Sequence, residues 1–187
     1  MSENAIRGIA DRILQALAKV MPSSSIRVAL QRARGAQIGS GVWIGTEVIL
    51  DTGYPRLITI RDNVTIGVRT MIIAHFRDQR GVRIEHDVFI GAGALIMPGV
   101  IVGRGAVIAA GSVVTRAVPP MTMVQGNPAT AVARCGIPLL LNTTLREFSK
   151  SLKPLQLRLN SAGRQSNNPS PATSSVAEGL NLNKGTV

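Results

Sequence analysis

From Val88 to Val114 an aliphatic residue returns at every sixth place: Ile90, Ile96, Val102, Ile108, Val114. Upstream the same step links Ile38, Ile44 and Leu50, then Ile60, Ile66 and Ile72, then Ile84 and Ile90. The stretch DTGYPRLIT shifts the register by four places after Leu50, whereas the interval from Ile72 to Ile84 is two full steps and keeps phase. A step of six matches neither the helical period of about 3.6 nor the strand period of two. Two places before most markers stands a second small or β-branched residue: Val42, Val64, Val88, Ala94, Val100, Ala106, Ser112. Each hexad therefore holds an in–out–in triplet such as Val42-Trp43-Ile44, enough for a very short strand. The other three residues turn a corner, often with glycine, as at Gly39, Gly45, Gly67, Gly91 and Gly103. The pattern predicts a flat-sided coil whose windings stack at the ~4.8 Å strand spacing around an aliphatic column. Burial of each large aliphatic side chain contributes ~1.5–3 kcal/mol.

The flanks follow other rules. Residues 1–34 read as an N-terminal helical segment: Ile6, Ile9, Ile13, Leu17 and Val20 recur at three and four places, Pro22 interrupts, and Ser23 to Ser25 offer an N-cap for IRVALQRAR. Residues 35–134 hold the repeat. Residues 135–187 form an extension, with a short helix within 142–160, LREFSKSLKPLQL, broken at Pro154. From Ser161 the chain turns polar and rich in Pro and Ser, which predicts a disordered tail. The fold class is mainly β.

The outward position of the triplet reads Trp43, Thr65, Phe89, Leu95, Ile101, Val107, Val113. A solvated face would be polar, so at least one side of the prism is expected to be covered by another subunit. Coverage by the terminal helices is the alternative.

Composition narrows the classes. Aromatics are 3% of the chain, so small aliphatics must fill the core. One cysteine, Cys135, excludes an internal disulfide framework and suits a reducing, cytoplasmic setting. No apolar run reaches the ~18 residues of a membrane span, and the N-terminus lacks a secretion-type apolar core. The net charge of +11 gathers at the ends: residues 1–34 carry six basic and two acidic groups, and 142–187 carry six and two. Without stacking aromatics or a binding motif, nucleic acid is not an expected partner. The basic amphipathic N-terminal helix fits a peripheral membrane contact as well as simple packing on the core.

The run IGAGALIMPGVIVGRGAVIAAGSVVTRAVPPMTMVQGNPA closely resembles the hexapeptide-repeat acyltransferases. The resemblance spans about residues 35–134 and implies a left-handed parallel β-helix; ordinary crossover chirality alone would favour the right hand. It also implies a homotrimer with active sites between neighbouring prisms and acetyl-CoA as acyl donor. The stretch DTGYPRLITIRDNVTIG followed by IIAH is most similar to sugar and polysaccharide O-acetyltransferases of the maltose/galactoside acetyltransferase-like branch.

Two histidines are present, His75 and His86. His75 lies in the largest interruption of the repeat, where loops carry function. A neutral imidazole there can take a proton from an attacking hydroxyl, which contributes ~10²–10⁴ in rate. The family resemblance makes His75 the catalytic base and gives the backbone N–H of Ala92 the oxyanion. It points to Ala110, Thr115, Arg116 and the closing Gly126, Asn127 and Pro128 for coenzyme A. The basic residue expected two places after that proline is replaced by Thr130, so Arg116 and Arg134 stand in for the phosphate contact. Asp51 and Tyr54 are candidates to hydrogen-bond sugar hydroxyls, with Asp51 equally well a turn residue in Asp-Thr-Gly. Phe89 is a candidate to pack in the acceptor site, and Arg77, Arg80 and Arg83 to receive an anionic group. His86 reads as an exposed turn residue. A zinc site of the three-histidine kind would need one histidine more than the chain has, so no metal is expected. A covalent acyl-enzyme is not expected either, because Cys135 lies past the coil. The expected activity is O-acetylation of a saccharide or glycosylated precursor. Two alternatives stay open: N-acetylation of an amino sugar, since one base serves both acceptors, and a non-catalytic β-helical scaffold.

Overall fold

The computed structural model describes residues 3–76 and 79–155, with side chains from residue 8 onward. The expected tail and Arg77 lie outside the described residues. The chain opens with α1 (Glu3–Val20) and α2 (Ser24–Ala33), with Ser23 at the N-cap of α2. Twelve short strands follow in three stacks. Face A holds β1 (Gln37–Ile38), β4 (Ile58–Ile60), β7 (Val82–Ile84) and β10 (Ile101–Val102). Face B holds β2 (Trp43–Ile44), β5 (Thr65–Ile66), β8 (Phe89–Ile90) and β11 (Val107–Ile108). Face C holds β3 (Ile49–Leu50), β6 (Met71–Ile72), β9 (Leu95–Ile96) and β12 (Val113–Val114). Every pairing within these stacks is parallel, so the chain climbs through four coils of a three-sided β-helix.

The six-residue period is the register. Ile38, Ile60, Ile84 and Val102 pair in one column. Ile44, Ile66, Ile90 and Ile108 form the second. Leu50, Ile72, Ile96 and Val114 form the third. Apart from half-buried Ile38 at the first coil, all are buried. Glycine at the corners answers to the same spacing. A Cβ at Gly91 would stand 2.4 Å from the Ala110 nitrogen in the coil above, and one at Gly67 would stand 2.5 Å from that of Ala92.

The first coil has no coil beneath it, so its carbonyl groups need other donors. The helices supply them. Arg32 donates to the Ile38 and Gly39 oxygens at 3.0 and 2.6 Å, and Arg27 to that of Ile44 at 2.7 Å. Gln15 donates to the Val48 oxygen at 3.2 Å. Arg34 donates to the Leu50 and Asp51 oxygens at 2.9 and 2.8 Å. Buried Arg34 is balanced by Asp11 at 2.8 Å and by the side-chain oxygens of Gln15 and Gln31.

At the other end β13 (Thr122–Gly126) pairs with β11 and folds back through a hairpin into β14 (Ala129–Arg134). A last strand, β15 (Lys153–Pro154), pairs with β14. Helix α3 (Leu145–Ser151) starts at a capping box, Thr144 with Glu147. Two expectations change here. The helix stops at Ser151 rather than running to Pro154, because Lys153 and Pro154 extend into an edge strand, a place where a missing N–H is tolerated. Face B is covered at its upper end by the chain itself: Cys135, Leu139 and Phe148 close over Val107, with Phe89, Met121, Met123 and Leu152 around them. On the other faces Met71 and Ile101 stay exposed.

Ile66→Ala or Ile90→Ala opens a cavity in the central column, and each is expected to lower stability by roughly 2–5 kcal/mol. Urea unfolding followed by circular dichroism measures it; a loss under about 0.5 kcal/mol would mean that these side chains are not confined as described.

Candidate active site

Both long interruptions fall at the same corner, between faces C and A. Residues 51–57 leave the first coil there, and the chain leaves the second after Ile72 and rejoins at Val82. Because Leu50 pairs with Ile72, the segments that follow them are stacked. The Asp51 N–H donates to the Ile72 oxygen at 2.9 Å. The Asp51 carboxylate then turns up toward the second interruption. Its Oδ1 accepts from the Gly53 and Tyr54 N–H groups, both at 2.9 Å. Its Oδ2 accepts from the Ala74 and His75 N–H groups at 2.8 and 3.1 Å, and lies 2.6 Å from His75 Nδ1.

A carboxylate can only accept, so this bond places the imidazole proton on Nδ1 and leaves the Nε2 lone pair available. The Asp51 side chain is fully buried, while that of His75 is 40% exposed. Burial pushes the Asp51 carboxyl up, but the hydrogen bonds from His75 and from the Gly53, Tyr54 and Ala74 N–H groups together outweigh it. The net effect holds Asp51 below the ordinary carboxylate value, ionised against the ring. The Tyr54 ring stands 4.6 Å from the imidazole at a tilt of 57°, and the Arg56 guanidinium lies 5.2 Å from the centre of the tyrosine ring. Arg34, reaching from the helical cap, holds the Asp51 backbone oxygen from below.

Asp51 keeps the turn role that Asp-Thr-Gly suggested, accepting from the Gly53 and Tyr54 N–H groups, and adds a second role that the local sequence does not suggest. Its carboxylate faces away from solvent and orients His75, rather than standing open to a sugar hydroxyl. The signal for the pair was present: Asp51 is one residue past the marker Leu50, and His75 is three past Ile72, the marker directly above. Nothing in the local pattern marks Arg34 or Arg56 for this corner; only the fold brings them there.

The other candidates divide between edges of the prism. Thr115 and Arg116 follow β12 at the same C–A corner, two coils above His75, and both are exposed. Ala92 and Ala110 are exposed at the B–C corner, on successive coils. The Gly126-Asn127-Pro128 turn joins that edge, where the Gly126 N–H donates to Ser112 Oγ at 3.3 Å. Arg134 donates to Thr122 Oγ1 at 3.0 Å. Phe89 is on face B, packed with the cluster under the C-terminal segment and away from the corner that carries His75. Arg80 and Arg83 line a shallow groove on face A with Leu57, Thr59 and Ile101. His86 sits at the A–B corner, part-exposed, 3.3 Å from Asp62. Among the described residues no group of three or more His, Cys, Asp or Glu side chains is placed to hold a metal ion.

Residues 81–116 match the family model described as the hexapeptide repeat of succinyl-transferase. Nodulation protein L of Rhizobium meliloti (strain 1021) is 42% identical over 130 residues, which span 62% of this chain and 69% of that protein. The chain belongs to the hexapeptide-repeat acetyltransferases. The solved structures agree with that assignment. A hexapeptide-repeat acetyltransferase from Vibrio cholerae O1 biovar eltor, complexed with acetyl coenzyme A, is 30% identical with a TM-score of 0.55, covering 71% of this chain and 89% of that one. A maltose O-acetyltransferase from Clostridium difficile 630 is 26% identical with a TM-score of 0.51, covering 71% and 89%. As a hexapeptide-repeat acetyltransferase the protein is an acyltransferase on a left-handed parallel β-helix, here with the Asp51–His75 pair at its interrupted corner.

The depressed Asp51 pKa fixes the sign of a pH effect. A carboxyl titrating lower in the folded chain than in the unfolded one stabilises above the ordinary carboxylate value of about 4, and that contribution is lost as pH falls through the folded value. The stability gap between the parent chain and Asp51→Asn is therefore expected to be widest near neutrality and to close below about pH 4. Urea unfolding across pH tests it, and a gap that stays constant into acid would rule out an Asp51 carboxylate stabilised by folding.

Proposed function

We propose that the protein transfers an acetyl group from acetyl-CoA to a hydroxyl of a saccharide or glycosylated precursor, with His75 as general base. The observation that carries this reading is the 2.6 Å bond between buried Asp51 and part-exposed His75. It fixes the ring so that Nε2, an acceptor, is the nitrogen available to a substrate. The names of the relatives, a maltose O-acetyltransferase among them, support a saccharide acceptor. The acetyl coenzyme A carried by the Vibrio cholerae relative supports the donor.

In the reaction, Nε2 accepts the hydroxyl proton as the acceptor oxygen attacks the thioester carbon. The ring becomes an imidazolium, and the ionised Asp51 stabilises it without taking the proton. The carbonyl oxygen carries the negative charge of the tetrahedral intermediate, to which the Ala92 N–H donates. The intermediate collapses, the carbon–sulfur bond breaks, and the proton on Nε2 passes to the departing thiolate. No covalent acyl-enzyme is needed.

His75 and Ala92 flank face C on different edges of one chain. A seam where the C–A edge of one copy meets the B–C edge of the next would bring them together, which supports the homotrimer. Coenzyme A then lies along the B–C edge, past Ala110 and Gly126-Asn127-Pro128, with Arg116 near its phosphates, whereas Arg134 is held opposite Thr122 at the other end of β13. Tyr54 and Arg56 border the acceptor side.

His75→Ala is expected to lower kcat by roughly 10²–10⁴ while acetyl-CoA binding by calorimetry stays unchanged, and Asp51→Asn to lower it by roughly 10² or more. Thiol release from acetyl-CoA, screened over candidate sugars, reads both; ordinary turnover in His75→Ala would end the mechanism. The seam has its own test. Folded His75→Ala and Ala92→Pro chains, each inactive, are expected to regain activity when refolded together, with roughly a quarter of randomly formed seams intact. No recovery would place the whole site within one chain.

A further inference from the structure

Helix α1 is amphipathic in the reverse of the usual sense. A helix on a water-soluble domain turns its apolar stripe to the core. Here Gln15 and Ala18 are buried and Asp11 meets Arg34, so the polar side faces the protein. The apolar side faces out: Ile9 is 47% exposed, Ile13 55%, Leu17 41% and Val20 69%. Their spacing of four, four and three puts them in one stripe. Ile26 of α2 is exposed as well. The cause is on the first coil, whose carbonyls require the donors that Gln15, Arg27, Arg32 and Arg34 provide.

We propose that this outer stripe of α1 docks on an anionic lipid surface. The charges around it fit that occupant. Arg12 and Lys19 border one side of the stripe by helical periodicity. Asp11 is turned inward to Arg34, and Glu47, whose N–H donates to the Lys19 oxygen, is paired with Arg69. An apolar stripe with a cationic border matches acyl chains beneath phosphate headgroups. A second copy seated face to face in antiparallel sense would instead set Arg12 and Lys19 beside their own counterparts, and like charges there repel. Among the described residues no helix is long and apolar enough to cross a membrane, so the helix lies on the surface. The docking does not depend on the acyl-transfer reading.

Flotation of the full chain with lipid vesicles tests it. Binding is expected to vesicles containing about a third phosphatidylglycerol, and to be about tenfold weaker with phosphatidylcholine alone or at high salt. The double substitution Ile13→Asp with Leu17→Asp is expected to weaken it by about tenfold or more, since ionised groups cannot enter the acyl region. Arg12→Ser with Lys19→Ser, which leaves the stripe intact, should bring binding down to the phosphatidylcholine level. Thermal unfolding within a few degrees of the parent chain shows that each variant is folded. Three results overturn the proposal. The parent chain does not float with anionic vesicles; or the aspartate variant floats as the parent does, so that another basic segment binds; or that variant loses sedimenting mass, which assigns the stripe to a contact between copies.

Discussion

Each coil hydrogen-bonds to the coil above and below it, and that vertical ladder governs the rest of the molecule. It fixes a strand spacing that no corner side chain can enter at Gly67 or Gly91. It stacks residues of like position, so aliphatic residues at every sixth place merge into three columns with no gap between coils. It also brings segments far apart in sequence into register, which is how the interruption after Leu50 comes to lie beneath the one after Ile72.

A ladder has ends, and the two ends are finished differently. At the first coil the free carbonyls take donors from arginine and glutamine side chains on two helices, an arrangement that buries Arg27 and Arg34. A buried guanidinium is costly unless each hydrogen-bonding direction is met, and Arg34 meets this with Asp11, two glutamines and two backbone oxygens. This polar seam explains why α1 turns its aliphatic side outward. At the last coil the ladder continues on face B alone, through a hairpin and one more strand, and the C-terminal segment closes over Val107.

The candidate site sits where the ladder is interrupted twice in succession. Regular coils have no room for a side chain between them, but the two insertions leave a recess at one corner. Asp51 occupies it with five hydrogen-bonded contacts to its carboxylate, so the ion is stabilised despite its burial. The recess thereby holds one charged group rigidly and leaves its partner imidazole reaching solvent. Arg34, which caps the first coil, also holds the Asp51 backbone, so the helical end and the site share one support.

Much of this was legible beforehand. The spacing of Ile38, Ile44 and Leu50 and of their successors determined the coil, because burial of aliphatic side chains in a stacked column admits few other arrangements. Pro22 and the serines after it marked the helix boundary. The interruption around His75 marked the corner where the Asp51–His75 pair forms. What the sequence could not determine was which groups meet across coils or which side of a helix faces in. Asp51 read equally as a turn residue or a sugar contact, and it is the turn residue that also holds His75; Phe89 read as an acceptor contact, and the α1 stripe as facing either the core or a membrane. Those outcomes rest on contacts between residues distant in sequence: Asp51 with His75, Arg34 with Leu50, and Phe89 with the C-terminal segment. Local pattern fixes period and propensity, whereas only the stacked structure decides which buried polar groups find partners.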